Sequence, residues 1–210
     1  GTADPAERVH LVTEAMRRAY RDRARFLADQ DHVDVPVHRL TSKAYAAELR
    51  AGIDRTVADD SDPDDLEAAA AATWRESPQT THFSVVDGDG LAVSVTYTLE
   101  QGFGSKITVP GAGFLLNNEM GDFNGRPGLT DEGGLIGTDA NLARPGQRML
   151  SSMTPSILAR DGGLVAVIGS PGGRTIINTV LHMVLGVVDF GLSIDRAHEA
   201  PRFHHQWLPD

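Results

Sequence analysis

Apolar side chains recur every three to four positions early in the 210-residue chain and every second position after residue 80. Asp4-Pro5-Ala6-Glu7 predicts a helix start: a capping side chain, proline at the first helical position and glutamate three residues after the cap. Val9, Val12, Met16, Ala19 and Tyr20 then follow helical spacing, and Arg17, Arg18, Arg21 and Arg25 fall mostly on the other side, which predicts a solvated basic face. A second helix is expected from about Thr41 to Ile53. From Asp59 to Asp65 the chain carries five aspartates in seven residues, and Ala68 to Ala72 follow. Like charges and a proline predict a mobile, solvated linker there. The spacing and glycine of a calcium-binding EF-hand are missing from it.

Beyond the linker the pattern predicts a hairpin. Runs from Thr80 to Val86 and Leu91 to Leu99 flank Asp87-Gly88-Asp89-Gly90, a strong turn signal. Pairing Asp87 with Leu91 sets Phe83 against Val95 and Val85 against Val93 on one face. The other face then pairs Thr80 with Thr98, His82 with Thr96 and Ser84 with Ser94; a one-residue slip would mix apolar with polar pairs. A hairpin with one wet face satisfies the same pattern.

Glycine-rich segments come next, Gly102 to Gly113, then Asn117-Asn118-Glu119-Met120-Gly121-Asp122, then a lid-sized loop from Asn124 to Asp139. A further strand pair is expected at Ser156–Ala159 and Leu164–Gly169, joined through Asp161-Gly162-Gly163. Gly169-Ser170-Pro171-Gly172-Gly173 then leads into a helical run from Thr175 to Val188. A glycine turn entering a helix exposes N–H groups suited to an anion or a developing oxyanion, although glycines also serve simply to turn a strand into a helix. The turn lacks the Gly-Lys-Ser/Thr ending of a nucleotide-binding loop.

Composition narrows the function classes. The net charge of −10 divides evenly about residue 80, and neither part has the basic face of a nucleic-acid binder. No cysteine is present, so disulfides and thiolate metal sites are excluded. The longest apolar run, from Thr179 to Gly191, is too short for a membrane span and is interrupted by His182 and Asp189. His204 and His205 are adjacent, and in an extended segment they point to opposite sides, so a shared metal ion is not expected. With Gly1 only a few residues before a helix, the chain reads as the interior of something longer.

One junction carries more specific chemistry. If the chain were cut before Thr80, that residue would own both a hydroxyl and an α-amine, whose pKa of about 7.7–8.0 suits a base near neutral pH. Nucleophile and base would then come from one residue. A Thr-Thr pair opening a strand more often reflects β-propensity alone.

Six stretches together resemble the γ-glutamyltranspeptidases, of the N-terminal nucleophile hydrolase superfamily. They are residues 80–87, 95–99, 115–118, 150–153, 169–173 and 200–207. The resemblance implies an α+β fold, an αββα sandwich incomplete in this chain. It implies a precursor that cuts itself between Gln79 and Thr80. Residues 1–79, with the acidic linker at 56–79, would end the large subunit, and residues 80–210 would form a small catalytic subunit truncated at its C-terminus. Thr80 matches the nucleophile, Thr98 its hydroxyl partner, and Gly172 and Gly173 the oxyanion hole. Glu100, Glu119 and Asp122 match contacts to the α-ammonium of the γ-glutamyl group, and Ser151 and Ser152 match contacts to its α-carboxylate. Glu100 and Glu119 stand where many members have asparagine and glutamine, so the site is more acidic than theirs. Gly133 stands where some members carry a shielding tyrosine.

The implied donor is glutathione or another γ-glutamyl compound, and the acceptor is water, an amino acid or a peptide. No cofactor or metal is implied. The implied partner is the remainder of the large subunit, and the implied location is periplasmic or extracellular. The neighbouring readings are a glutaryl or cephalosporin-type acylase and an inactive fragment.

Overall fold

A computed structural model describes residues 4–62, 79–125, 127–130 and 136–210. The chain divides into two compact units, Gly1–Trp74 with Met120–Leu150 and His205–Asp210, and Arg75–Glu119 with Ser151–His204.

The first unit is built on α1 (Pro5–Phe26), whose start is capped as predicted, the Asp4 side chain accepting from the Ala6 N–H at 3.0 Å. Met16, Tyr20 and Ala24 are buried at four-residue intervals. The expected solvated basic face is not what forms. Arg17 and Arg18 are buried around Glu14, itself 1% exposed. Arg18 bonds Glu14 and also reaches the Gly52 carbonyl (3.0 Å) and Asp59 (3.1 Å), while Arg17 bonds Glu14, Ser61 and Asp210. Partners remote in sequence thus neutralise a face that helical spacing alone assigns to water. The same contacts correct the reading of the acidic tract where it is described. Asp59 donates its N–H to Glu14 at 3.2 Å and Ser61 is buried against Arg17, so these two residues are tied to α1. The rest of the tract, with Ala68 to Ala72, lies outside the described residues.

Two shorter helices, α2 (Val37–Leu40) and α3 (Lys43–Ala51), follow α1, the latter capped by Ser42 through the Tyr45 N–H. The buried Tyr45 hydroxyl donates to Asp22 at 2.9 Å. The described flanks of the lid-sized loop are anchored in this unit. Gly128 N–H bonds the Gly137 carbonyl, Asn124 bonds Thr138, and Thr138 donates to the Ala24 carbonyl. Gly133 lies outside the described residues.

The second unit holds two antiparallel hairpins. β1 (Thr81–Val86) pairs with β2 (Ala92–Tyr97) in the predicted register, with Phe83 opposite Val95, Val85 opposite Val93, His82 opposite Thr96 and Ser84 opposite Ser94. The turn closes through Asp87, whose N–H bonds the Leu91 carbonyl at 3.1 Å and whose carboxylate accepts from the Asp89 and Leu91 N–H groups. β3 (Ser156–Arg160) pairs with β4 (Gly163–Ile168) through Asp161 and Gly162, both at positive φ, as a tight two-residue hairpin turn requires. α4 (Thr175–Val188) packs Ile176, Val180 and Met183 onto Ala166 and Ile168, and α5 (Ile194–Glu199) lies beside it, with Gly186 leaving room for Ala197.

The first hairpin meets the second through its polar face. Ser84 donates to the Val167 carbonyl (3.3 Å) and Ser94 to the Ile168 carbonyl (3.0 Å). The face with Phe83, Val85 and Val93 is about half exposed. The hairpin's polar face is therefore the packed one, its serine hydroxyls bonding backbone carbonyls of β4.

Candidate active site

Thr80 immediately precedes β1 and is 9% exposed, whereas Gln79 is exposed. One step beyond the Thr81–Tyr97 pair of the ladder are Thr80 and Thr98, as the register expects. No hydrogen bond joins the two among the described residues. The Thr98 hydroxyl oxygen instead accepts from the Glu100 N–H at 2.9 Å, in a turn where Glu100 has φ of 70°. That bond fixes Glu100 on the strand's exit and leaves the Thr98 proton available to a further acceptor.

The glycine turn lies in the same unit. Gly172 has φ of 129° and Gly173 of 56°, conformations that side chains disfavour. The Gly172 carbonyl is held from below by the Thr175 N–H (3.0 Å) and hydroxyl (2.7 Å), which open α4. A Cβ on Gly172 would lie 2.5 Å from that hydroxyl oxygen, so the position admits glycine alone without rearrangement. Neither the Gly172 nor the Gly173 N–H donates to a backbone carbonyl among the described residues. Two amides at a helix entrance, without backbone acceptors, are the donors an oxyanion needs.

Glu119 and Asp122 open and close one 3₁₀ turn, and Glu119 is buried. Asn117 starts that turn by accepting the Glu119 N–H at 3.0 Å, and Asn118 ties it to the end of β2 by donating its N–H to the Leu99 carbonyl. Asn141 donates to the Asp122 backbone carbonyl at 2.8 Å, which holds the end of the turn. Ser151 is exposed and accepts from the Met153 N–H at 3.1 Å, and Ser152 is partly buried beside it. Glu100, Glu119, Ser151 and Ser152 share the second unit with Thr80, and Asp122 falls in the first.

His82 is the site neighbour that its own sequence position understates. Its Nδ1 is 2.9 Å from the Thr96 hydroxyl and its Nε2 3.1 Å from that of Ser84. Burial pushes its pKa below the ordinary histidine value, which favours a neutral ring. The available signal was period two, which places His82 on the face of Thr80. His182, lowered by burial as well, donates from Nε2 to the Phe203 carbonyl at 2.9 Å and so fastens the C-terminal segment of this unit to α4. His204 bonds Asn178 at 2.8 Å. His205, in the first unit, bonds Asp210 at 2.8 Å.

No helix among the described residues is long and apolar enough to cross a membrane. A family model described as gamma-glutamyltranspeptidase matches residues 1–210. The glutathione hydrolase proenzyme of Escherichia coli (strain K12) is 49% identical over 205 residues, 98% of this chain and 35% of that relative. The chain thus spans about a third of the length of the curated relatives it matches. Gamma-glutamyltranspeptidase from Pseudomonas nitroreducens, solved in complex with L-DON, is 53% identical with a TM-score of 0.57, covering 61% of this chain and 67% of that one. A cephalosporin acylase from Bacillus halodurans covers 96% of this chain and 33% of its own, with 25% identity and a TM-score of 0.70. The fold is that of the N-terminal nucleophile hydrolases, an α+β sandwich of which the second unit shows two stacked hairpins and a covering helix. The chain belongs to the γ-glutamyltranspeptidase family.

Proposed function

We propose that the protein carrying this chain is a γ-glutamyl acyl transferase that matures by cutting itself between Gln79 and Thr80. Residues 1–79 then end the large subunit and residues 80–210 belong to the small catalytic one. The observation that supports this reading is that one unit holds both a buried Thr80 at the head of β1 and the Gly172-Gly173 turn, at positive φ, at the head of α4.

After cleavage the Thr80 hydroxyl attacks the γ-carbonyl of glutathione or a similar amide, and the Thr80 α-amine takes the proton. The carbonyl oxygen gains charge, which the Gly172 and Gly173 N–H groups stabilise. Collapse expels the amine and leaves a γ-glutamyl ester on Thr80. Water, or the amine of an amino acid or peptide, then takes the acyl group. Thr98 orients the nucleophile. Glu100, Glu119 and Asp122 hold the substrate's ammonium by charge-assisted hydrogen bonds, and Ser151 and Ser152 hold its carboxylate. The chemistry calls for no metal or organic cofactor. Action in the periplasm or outside the cell, with the rest of the large subunit as partner, belongs to the same proposal.

Glutaryl substrates of an acylase lack the ammonium that three carboxylates would meet. Turnover of γ-glutamyl and glutaryl anilides by the full-length protein tests the choice. Faster γ-glutamyl turnover is expected, and faster glutaryl turnover overturns it.

A further inference from the structure

Gly169 is a glycine for a reason its backbone does not supply. Its φ is not in the left-handed region, unlike those of Gly172 and Gly173. A Cβ there would lie 2.2 Å from Cε1 and 2.3 Å from Nδ1 of His82, so the imidazole rests directly on the Gly169 backbone. The ring is fixed on its other sides as well. The Thr96 hydroxyl donates to Nδ1, the Nε2–H donates to the Ser84 hydroxyl, and that hydroxyl donates to the Val167 carbonyl, a chain of donors that closes with a neutral ring.

The ring's place in the sequence gives this wedge its consequence. His82 is two residues from Thr80 on the same face of a strand, roughly 7 Å along it. Gly169 is three residues before Gly172. A single side chain therefore bridges the strand that presents the nucleophile and the turn that presents the oxyanion donors. Ser94, bonded to the Ile168 carbonyl at 3.0 Å, ties β2 to the residue that precedes Gly169.

We propose that His82 is a positioning residue, its ring wedged between Thr96 and Gly169 so as to set the spacing between Thr80 and the Gly172-Gly173 turn. The proposal rests on the reading of those three residues as the reacting groups. It does not give His82 a proton to transfer, because both ring nitrogens are engaged with hydroxyls of the hairpin.

The test uses the full-length protein, with thermal melting to confirm folding, mass spectrometry to follow self-cleavage, and kcat on a γ-glutamyl anilide per cleaved enzyme. A misplacement of about 1 Å costs on the order of 10²-fold in rate. His82→Ala and Gly169→Ala are each expected to lower kcat about 10²-fold with KM within about twofold. The double variant is expected to be no slower than His82→Ala, because the added methyl then has room. Thr96→Val, which keeps the strand's shape and removes one anchor of the ring, is expected to lose about tenfold in kcat, and it decides the matter should His82→Ala not fold. Unchanged kcat in the folded variants, a loss confined to KM, or losses that multiply in the double variant would each overturn the role of His82. Thr80→Ala separates this from the underlying reading: if that variant still cleaves, the nucleophile is wrong, and if it is inert while the His82 and Thr96 variants are normal, only the wedge is wrong.

Discussion

In the unit built on α1, the side chains sealed from water include Glu14, Arg17, Arg18 and Asp22, each answered by a partner far along the chain. In the unit built on α4 the sealed cluster is Ala166, Ile168, Ile176, Val180 and Met183. Both are helix faces packed against the rest of their unit, but they differ in what makes burial tolerable. The apolar cluster gains from leaving water, with no demand on direction. The charged cluster is tolerated only while every partner is in place, since burial pushes the Glu14 carboxyl up and Arg18, the Asp59 N–H and Arg17 together hold it below its ordinary value. The apolar arrangement gives the Gly172-Gly173 turn a rigid frame, and the charged one ties remote segments to one helix.

The widest contrast is reached at the site itself. Gly172→Ala should lower kcat of the full-length enzyme by about 10²–10³-fold, because the added methyl displaces the turn and its N–H donors. Activity within a few-fold of the parent would show that these amides do not face the oxyanion. Next, Glu14→Ala should cost about 3–5 kcal/mol, because two buried guanidinium groups lose their shared carboxylate. A cost under about 1 kcal/mol would mean the cluster behaves as a surface network, and the contrast between the units would dissolve. Ile176→Ala, at a side chain 1% exposed, should cost about 2–5 kcal/mol by leaving a cavity in the apolar cluster, with little dependence on pH.

The smallest effect separates the units by pH. Hydrogen bonds from the Arg148 side chain and backbone hold the Asp29 carboxyl well below the usual carboxylate range. A lowered native pKa gives stability that is complete above the unfolded value of about 3.9 and is lost as pH falls below it. Asp29→Asn should therefore lower Tm at neutral pH, and the gap from the parent should close below about pH 4. A gap that stays constant to pH 3 would remove the ion pair from the account.

The same contrast explains what was legible in the sequence. The hairpin register was readable because β-strand sides alternate strictly, so Phe83–Val95 and His82–Thr96 followed from one choice. α4 was readable from an uninterrupted helical run, and the Asp161-Gly162 turn from its chemistry. The face of α1 was not. Spacing marks Arg17 and Arg18 as solvent-facing, and only the fold brings Asp59, Ser61 and Asp210 to them. The exposed apolar face of the first hairpin was missed for a related reason, since the hydroxyls of Ser84 and Ser94 bond backbone carbonyls, which no side-chain pattern records. At the site, the sequence marks Thr80 and the double glycine, whereas Gly169 reads as one more turn residue because only the fold brings the His82 imidazole against it.

Mass spectrometry of the full-length protein and of its Thr80→Ala variant tests the central claim most directly. The account predicts two chains from the parent, the second beginning at Thr80, and a single uncut chain from the variant. A variant that still splits at Gln79–Thr80, or a parent that never does, would contradict it.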